Sequence, residues 1–160
     1  MENLLQRLHG RYGGMRRTAL GMTLMELLVV IAVLAILASI AIPTYRKYLI
    51  RAQRTEAKVA LLQLQTAQEK FYLQNNVYTD SIDTASPGGL GLTETTETGK
   101  YTLSVVLEAT DGVENQAYTA TATPREGGGQ ADDADCRSFT IDERGTRGVT
   151  GDEGVEHCWK

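Results

Sequence analysis

The sequence predicts an α+β protein in which one long N-terminal helix packs on a small antiparallel β-sheet. An apolar segment at residues 22–42 continues, beyond Pro43, into apolar positions at helical spacing up to residue 75. Residues 101–149 then contain short stretches that alternate apolar and polar side chains, which is typical of half-buried strands. A chain of 160 residues is long enough for one membrane segment and one domain.

The apolar segment has the length and composition of a membrane-spanning helix. The 21 residues from Met22 to Ile42 include a single charged residue, Glu26. At about 1.5 Å per residue, a helix of this length reaches roughly 31 Å, which matches the hydrocarbon core of a bilayer. Leu, Ile, Val and Ala occur on every side, so the helix has no polar face to turn to water. We expect it to lie in lipid or in a bundle of similar helices.

Glu26 is unusual in this segment because an ionised carboxylate in a membrane helix costs on the order of 2.5 kcal/mol unless a partner neutralises it. In one interpretation, Glu26 lies at the membrane interface and its carboxylate points into water. In the other, a cut after Gly21 gives Met22 a positively charged amine four residues before Glu26, one helical turn away. The second interpretation supplies the missing counter-charge.

Residues 21–29, with the sequence GMTLMELLV, resemble the start of a type IV pilin. The usual segment of that family has Gly, most often Phe, then Thr-Leu-x-Glu, an apolar helix and a proline near its end, which here is Pro43. Met22 replaces the usual Phe, and the family tolerates apolar residues there. The resemblance implies the type IV pilin fold, cleavage between Gly21 and Met22 by a prepilin peptidase and N-methylation of Met22. It also implies polymerisation of the helix, with Glu26 as the assembly residue.

Residues 1–21 resemble the cytoplasmic leader of a prepilin, with Arg16 and Arg17 ahead of a short uncharged spacer. A secretory signal peptide fits less well, because its cleavage site should follow the apolar run whereas the candidate cut precedes it. Met15 offers a second start and would shorten the leader to seven residues. Removal of the leader changes the net charge from -4 to -7, since twelve basic and nineteen acidic residues remain.

Residues 44–75 are predicted to form the second, amphipathic half of the helix. We expect one helix from Met22 to near Leu73 that bends at Pro43, because an interior proline removes one helical hydrogen bond; two separate helices are the alternative. The face expected to be buried recurs at steps of three and four and comprises Tyr45, Tyr48, Leu49, Ala52, Ala57, Ala60, Leu61, Leu64, Ala67 and Phe71. The other face is Arg, Lys, Gln and Glu, and we expect it to be solvated.

Residues 76–160 are expected to form the head. Pro87 and four glycines between residues 88 and 99 predict a long exposed connection up to Lys100. Strands are predicted at Tyr101–Leu107, Ala117–Thr123 and Ser138–Asp142, with a short fourth near Thr146–Val149 and a hairpin turn at Asp111-Gly112. The side chains expected to face the amphipathic helix are Tyr101, Leu103, Val105, Leu107, Tyr118, Ala120 and Ala122.

The head also resembles the minor pilins of the PilE type. The resemblance is carried by QNNVYT at residues 74–79, Tyr118-Thr119, TID at residues 140–142 and GTRG at residues 145–148. A C-terminal cysteine pair recurs in that family, which implies a disulfide between Cys136 and Cys158. A thin core and an oxidising compartment favour the bond over two free thiols. A metal site of His157 and the two cysteines lacks a fourth ligand, so we expect no metal.

The sequence contains little other chemistry. It has no motif of a catalytic nucleophile or of a phosphate-binding loop, so we expect neither an enzyme nor a cofactor. Asp132, Asp133 and Asp135 lack the full calcium-loop pattern and are expected to form a solvated acidic loop. Residues 44–75 carry six basic and two acidic side chains, whereas residues 76–160 carry six basic and sixteen acidic ones. Nucleic-acid binding by so acidic a head is not expected.

The resemblance implies a structural subunit of a type IV pilus, of the minor kind. Before assembly the chain would span the inner membrane once, with its head in the periplasm, and afterwards it would lie in a cell-surface pilus used for attachment, twitching motility or DNA uptake. The implied partners are other pilin subunits, the prepilin peptidase and methyltransferase, and the inner-membrane assembly machinery. A pseudopilin of a type II secretion system, and an adhesin or DNA-binding module displayed on the pilus, are the alternatives.

Overall fold

The fold consists of one long helix, four β-strands and a short second helix. The structure is a computed structural model that describes residues 21–127 and 129–160; the predicted leader up to residue 20, including Arg16 and Arg17, lies outside the described residues. The elements in chain order are α1 (Leu24–Asn75), β1 (Tyr101–Thr110), β2 (Val113–Pro124), a 3-10 turn (Gln130–Asp132), β3 (Ser138–Asp142), β4 (Arg147–Thr150) and α2 (Val155–Cys158). The chain divides into two units between Ala41 and Ile42.

Helix α1 begins after Thr23 and continues through Pro43. The Thr23 hydroxyl accepts a hydrogen bond from the backbone N–H of Glu26 at 3.1 Å, so Thr23 occupies the N-cap position. The prediction of one helix is confirmed, and it has 52 residues with Pro43 inside it. Its first residue is Leu24, so Met22 lies just outside the helix instead of in its first turn. A bend at Pro43 stays a prediction.

The four strands form one antiparallel sheet, as the sequence predicts, and their order in the sheet is β1-β2-β3-β4. Asp111 and Gly112 have φ angles of 53° and 79°, the left-handed conformation that an Asp-Gly hairpin turn requires. The pairing confirms the predicted inner face: Leu103 lies opposite Ala122, Val105 opposite Ala120 and Leu107 opposite Tyr118. Strands β1 and β2 are longer than predicted.

The core of the head lies between the inner face of the sheet and one side of α1. The buried residues of α1 are Arg54, Ala57, Leu61, Leu64 and Gln68. The large buried side chains of the sheet are Tyr101, Tyr118, Phe139 and Ile141. Tyr78 and Ile82 join the same cluster, so the predicted exposed connection contributes two side chains to the core. This apolar core holds the sheet and the stem (residues 44–75) together as two packed layers.

The prediction for the two faces of the stem is partly wrong. Tyr45, Tyr48, Leu49 and Ala52 are exposed instead of buried, because the covered part of α1 begins only at Arg54. Gln68, which was expected to be solvated, is fully buried and forms two hydrogen bonds with the backbone of Thr79. A buried polar side chain must find such partners, and Gln68 thereby ties the connection to the helix.

Candidate assembly and ligand surfaces

The predicted cleavage junction is exposed. Gly21 and Met22 both lie ahead of α1 and are accessible to solvent. A Cβ atom added at Gly21 would meet no atom of residues 21–127 and 129–160 within 4 Å, and the backbone of Gly21 is outside the left-handed region. The fold therefore does not require glycine at this position. Any requirement for glycine must come from a protein that binds the junction.

The apolar half of α1, residues 24–42, is not packed against the described part of the head. An 18-residue window of this helix has a mean hydropathy of 2.8 and is unburied, and α1 is the one helix among the described residues long and apolar enough to cross a membrane. Glu26 lies in its first turn, where the partial positive charge of a helix N-terminus favours a carboxylate. Within the described part of the chain Glu26 forms no ion pair. The segment thus presents apolar side chains and one carboxylate near its start.

A second surface of the stem consists of exposed, mostly apolar side chains. We name it the exposed stripe; its members are Tyr45, Tyr48, Ala52, Thr55, Val59, Leu62, Thr66, Glu69 and Leu73. Successive members are three or four residues apart, which is the spacing of a seam that packs on another helix. The buried residues from Arg54 to Gln68 follow the same spacing on roughly the opposite side. The stem therefore has a buried seam and an exposed stripe. The head approaches the stripe at Val59, which lines a cleft with Leu92, and at Glu69, which accepts a hydrogen bond from the Tyr78 hydroxyl at 3.2 Å.

A buried ion pair connects the stem to the acidic loop. Arg54 donates from Nε and Nη2 to the two carboxylate oxygens of Asp133, each at 2.7 Å. Asp133 also accepts hydrogen bonds from Gln130 and from the backbone of Cys136. The hydrogen bond that Arg54 donates to Asp133 raises the pKa of Arg54, although burial opposes the shift. The prediction of a solvated loop is therefore wrong for Asp133, whose side chain is 3% exposed.

A disulfide closes the same region. Cys136 and Cys158 are joined, with their sulfur atoms 2.02 Å apart, and this is the pairing that the family resemblance implies. Both cysteines are buried, whereas His157 is exposed. Among residues 21–127 and 129–160, no three His, Cys, Asp or Glu side chains are grouped to hold a metal ion. The cysteines thus serve to close the loop that contains β3 and β4.

A contact between Glu56 and Thr98, which we name the clamp, fixes the connection (residues 76–100) to the stem. The Glu56 carboxylate accepts hydrogen bonds from the backbone N–H and the hydroxyl of Thr98, at 2.7 and 2.6 Å. Burial alone would raise the pKa of Glu56, but hydrogen bonds from Thr98 and Thr96 and the charge of Lys100 lower it. A cleft of about 540 Å³ lies beside this clamp, between the stem and residues 92–97. The clamp keeps one wall of the cleft in place.

Basic side chains gather around α2 and the end of the chain. Lys58 Nζ donates to the backbone oxygen of Lys160 at 2.6 Å. The Arg147 guanidinium lies over the Trp159 ring, 5.0 Å from its centroid, and Trp159 Nε1 donates to the backbone oxygen of Gly148. Two clefts, of about 230 and 360 Å³, share Lys160 as a lining residue. The first is also lined by Arg51 and Lys58, and the second by Arg147.

We name Arg51, Lys58, Arg147 and Lys160 the basic cluster. Burial lowers the pKa of Lys58, and the positive charges of Arg54 and Arg147 lower it further. No member of the cluster forms an ion pair within 4 Å with a carboxylate of the described side chains. Glu156 is the one acidic side chain that lines the two clefts. The cluster thus groups four basic side chains around two adjoining clefts, and Arg51 also lines a third cleft that contains Asp132, Asp133 and Asp135.

Three of these contacts were not predicted from the sequence. The Thr-x-x-Glu spacing at Thr23 and Glu26, directly before an apolar run, is a recognised N-cap signal. Arg54 stands in phase with Ala57, Leu61 and Leu64, and that phase could have predicted its burial. The contact of Glu56 with Thr98 joins residues far apart in the chain, and no local pattern announces it.

Two family models match the chain. One, described as type IV minor pilin ComP, DNA uptake sequence receptor, matches residues 43–140. The other, the prokaryotic N-terminal methylation motif, matches residues 16–42. Together they cover residues 16–140 without a gap.

Several known proteins are similar to this chain. The type IV major alpha-pilin of Moraxella bovis is 33% identical over 132 residues, which are 81% of each chain. The type IV major pilin protein PilA of Myxococcus xanthus is 45% identical over 60 residues, 38% of this chain and 27% of PilA. PilE1 of Neisseria gonorrhoeae is 30% identical over 87 residues, 54% of this chain and 39% of PilE1. The chain thus spans well under half the length of these last two relatives.

Two solved structures are also similar. A type IV pilin from Shewanella oneidensis aligns with a TM-score of 0.43 and 22% identity, over 61% of this chain and 89% of that chain. The non-core minor pilin PilV of Neisseria meningitidis aligns with a TM-score of 0.46 and 17% identity, over 65% of this chain and 89% of that chain.

Proposed function

Since this chain belongs to the type IV pilin family, we propose that it is a structural subunit of a type IV pilus, held in the inner membrane and then polymerised through α1. The observation that carries the proposal is the uncovered apolar surface of α1. Its first half fits a bilayer, and the exposed stripe has the spacing of a helix-packing seam. Water is a poor environment for so large an apolar surface, so lipid or neighbouring helices must cover it.

Processing is the first step of this proposal. A prepilin peptidase cleaves between Gly21 and Met22, and the Met22 amine is methylated. The match of the N-terminal methylation motif to residues 16–42 supports both reactions. Cleavage places a positive amine close to Glu26, the single charged residue between Met22 and Ile42. During assembly the carboxylate pairs with that amine or with the amine of a neighbouring subunit.

The experiment is a mass measurement on chains from two sources, sheared surface pili and the inner membrane. We expect the pilus fraction to contain a chain that starts at N-methylated Met22. A pilus chain that starts at Met1 or Met15 would contradict the proposal. Gly21→Ala serves as the matched variant: since the fold has room for the added methyl group, uncut and membrane-inserted Gly21→Ala chains identify a requirement of the peptidase and not of the fold.

We also propose that this subunit is a minor pilin that serves DNA uptake. The family model that covers residues 43–140 supports it, because that model describes a DNA uptake sequence receptor. The acidic composition of the head led to the opposite expectation. The local distribution of charge affects such binding as well as the net charge, and the basic cluster places four basic side chains around two adjoining clefts.

DNA binding is tested with the full chain, purified in a neutral detergent, and a fluorescent DNA duplex. We expect binding that weakens as salt is raised, and a deletion strain that keeps its pili but takes up less DNA. No binding even at low salt would contradict the DNA function while leaving the subunit function intact. A deletion strain that loses protein secretion instead would favour the pseudopilin alternative, and one that loses only attachment would favour an adhesin.

A further inference from the structure

We propose that the cleft between the stem and residues 92–97, which we name the stem cleft, receives Tyr45 and Tyr48 from a second copy of this chain in the pilus. The proposal rests on the subunit function proposed above and names one contact through which that function operates. The cleft has a volume of about 540 Å³, within the range of roughly 300 to 1,000 Å³ that is typical of binding clefts. It is therefore large enough to hold side chains from another molecule.

The stem cleft combines an apolar lining with a polar rim. The apolar side chains that line it are Val59, Ala60, Leu92 and Leu103. Glu97 lies at the rim, is exposed, and forms no ion pair within 4 Å with the side chains that the structure describes. A carboxylate of this kind can accept a charge-assisted hydrogen bond from a hydroxyl group. The cleft thus fits a group that has an apolar body and a hydroxyl at its end.

Contacts within the head hold the stem cleft in shape. The clamp fixes the connection on one side of it. The backbone N–H of Leu92 donates to the carbonyl oxygen of Ile82 at 2.8 Å, and that of Leu103 donates to the carbonyl oxygen of Glu94 at 2.7 Å. Since the walls are ordered before a partner arrives, binding should cost little conformational entropy.

Tyr45 and Tyr48 have the chemistry that the stem cleft requires. They are 65% and 69% exposed and lie about one helical turn apart on the exposed stripe. A tyrosine has an apolar ring and a polar hydroxyl, which match the apolar lining and the carboxylate at the rim. Other exposed apolar side chains, such as Leu62, Leu73 and Val106, have no polar end. Tyrosine is also among the residues that contribute most to the binding energy of protein interfaces.

The two tyrosines need different surroundings before and after assembly. They follow Ile42, the last residue of the apolar segment, by three and six positions. In the membrane-anchored chain they therefore fall in the interfacial layer, where tyrosine is enriched. Extraction into a pilus removes that layer, and the head does not replace it, because the covered part of α1 begins at Arg54. A neighbouring subunit can supply the missing cover.

A projecting group and a cleft on different parts of one chain give a head-to-tail contact. When such a contact is repeated without closing into a ring, it builds an open helical filament. Thr55 and Val59 belong to the exposed stripe and also line the stem cleft, and they lie seven to fourteen residues beyond the two tyrosines. Between parallel helices the contact would shift one subunit along the fibre by about 10 to 21 Å. The cleft is thus continuous with the surface through which α1 polymerises.

The test uses pairs of chains that each carry one added cysteine. The two native cysteines are joined, so the added cysteine is the free thiol among the described residues. Tyr48→Cys and Leu92→Cys chains are produced in the same cells, and their sheared pili are treated with a mild oxidant. The control pair is Tyr48→Cys with Val106→Cys, because Val106 is 61% exposed but does not line the cleft. Mass spectrometry identifies the linked peptides, and thermal unfolding of each purified full chain in neutral detergent shows that the fold is kept.

We expect at least tenfold more linked dimer from Tyr48→Cys with Leu92→Cys than from the control pair. Tyr45→Ser/Tyr48→Ser should enter sheared pili at least fivefold less than wild type. Tyr45→Phe/Tyr48→Phe, which keeps both rings and removes the hydroxyls, should be intermediate. Equal linkage in the two pairs overturns the assignment of the tyrosines to the cleft, and linkage of Tyr48→Cys only to a different pilin overturns the assignment to a second copy.

Three further outcomes separate the contact from the subunit function. If the chain is present in sheared pili but Tyr48→Cys and Leu92→Cys do not link, the contact is wrong and the subunit function stands. If the wild-type chain is missing from sheared pili, the subunit function is overturned and the contact with it. If Tyr45→Ser/Tyr48→Ser fails to insert into the membrane and the cysteine pair does not link, the tyrosines act at the lipid interface, and the contact is wrong.

Discussion

At the scale of single residues, Arg54 shows how a charged side chain can belong to a core. Its guanidinium is satisfied by both oxygens of Asp133, and Asp133 in turn accepts from Gln130 and from the Cys136 backbone. Every partner lies in the loop ahead of β3, so the network holds that loop against the stem. Removing one charge would leave the other buried without a partner.

We therefore predict that Arg54→Met lowers the free energy of unfolding by about 3 to 5 kcal/mol, since it leaves the Asp133 carboxylate buried and unpaired. The double variant Arg54→Met/Asp133→Asn should be less destabilised than Arg54→Met alone, because it removes both charges and keeps an oxygen that can accept from Cys136. Urea denaturation of the wild type, Arg54→Met, Asp133→Asn and the double variant measures the difference. A double variant as unstable as the sum of both single variants would show that the two residues are not coupled.

Glu26 is the second residue whose charge should have a measurable effect, in this case on incorporation into pili. Glu26→Ala removes a costly charge from the apolar segment, so membrane insertion and cleavage should stay normal. Incorporation into sheared pili should fall, because a subunit without the carboxylate cannot pair with a Met22 amine where water is excluded. Glu26→Asp should be intermediate, and Met25→Ala, one residue away, is the control. Wild-type amounts of Glu26→Ala in sheared pili would mean that the carboxylate is only an interfacial charge.

At the scale of elements, the two seams of α1 can be tested separately. Val59→Ser/Leu62→Ser changes the exposed stripe and should alter the free energy of unfolding by no more than about 1 kcal/mol, since each surface substitution contributes about 0.5 kcal/mol or less. Its incorporation into pili should nevertheless fall, since neighbouring helices would pack on polar side chains instead of apolar ones. Leu61→Ala, on the buried seam between those two positions, should cost about 2 to 5 kcal/mol of stability. Equal stability losses in both variants would refute the division into two seams.

The clamp between α1 and the connection should depend on pH. The pKa of Glu56 is lower in the folded chain than its ordinary value of 4.5, so the clamp stabilises the fold above that pH and loses its effect as the pH falls through the folded pKa. Thr98→Val should destabilise the chain by about 1 kcal/mol or less at neutral pH. Below the folded pKa the two chains should unfold alike. A difference that persists in acid would mean that Thr98 acts by packing and not through the carboxylate.

At the scale of the whole molecule, local sequence patterns predicted the helices and strands. The burial of individual side chains depends on contacts between residues far apart in the chain, and local patterns did not predict it. The helix, the four strands and the Asp-Gly turn follow from apolar periodicity and turn chemistry, which act over a few residues. The exposure of Tyr45 and Tyr48 could not be predicted this way, because it depends on how far the head extends along the stem. Asp133 was misjudged for a related reason: its partner lies 79 residues away in the chain.

The disulfide stabilises the head as a whole. Its cysteines are separated by 22 positions, and opening a loop of that size should cost about 3 kcal/mol in the chain-entropy account. We expect urea denaturation to give Cys136→Ala/Cys158→Ala a free energy of unfolding that is lower by that amount. The free energy of unfolding of reduced wild-type protein should approach that of the variant. Chains from intact cells that take up a thiol label at both cysteines under denaturing, non-reducing conditions would show instead that the bond does not form.

The two seams of the stem also have an evolutionary consequence. Since the residues that hold the head and the residues of the exposed stripe occupy opposite sides of one helix, substitutions in the loops and sheet outside the stem cleft need not disturb the contacts between subunits. Duplicated genes can therefore diverge in the heads they encode while their products stay interchangeable in one fibre. A cell that carries several such genes can vary what its surface presents without redesigning the fibre that presents it.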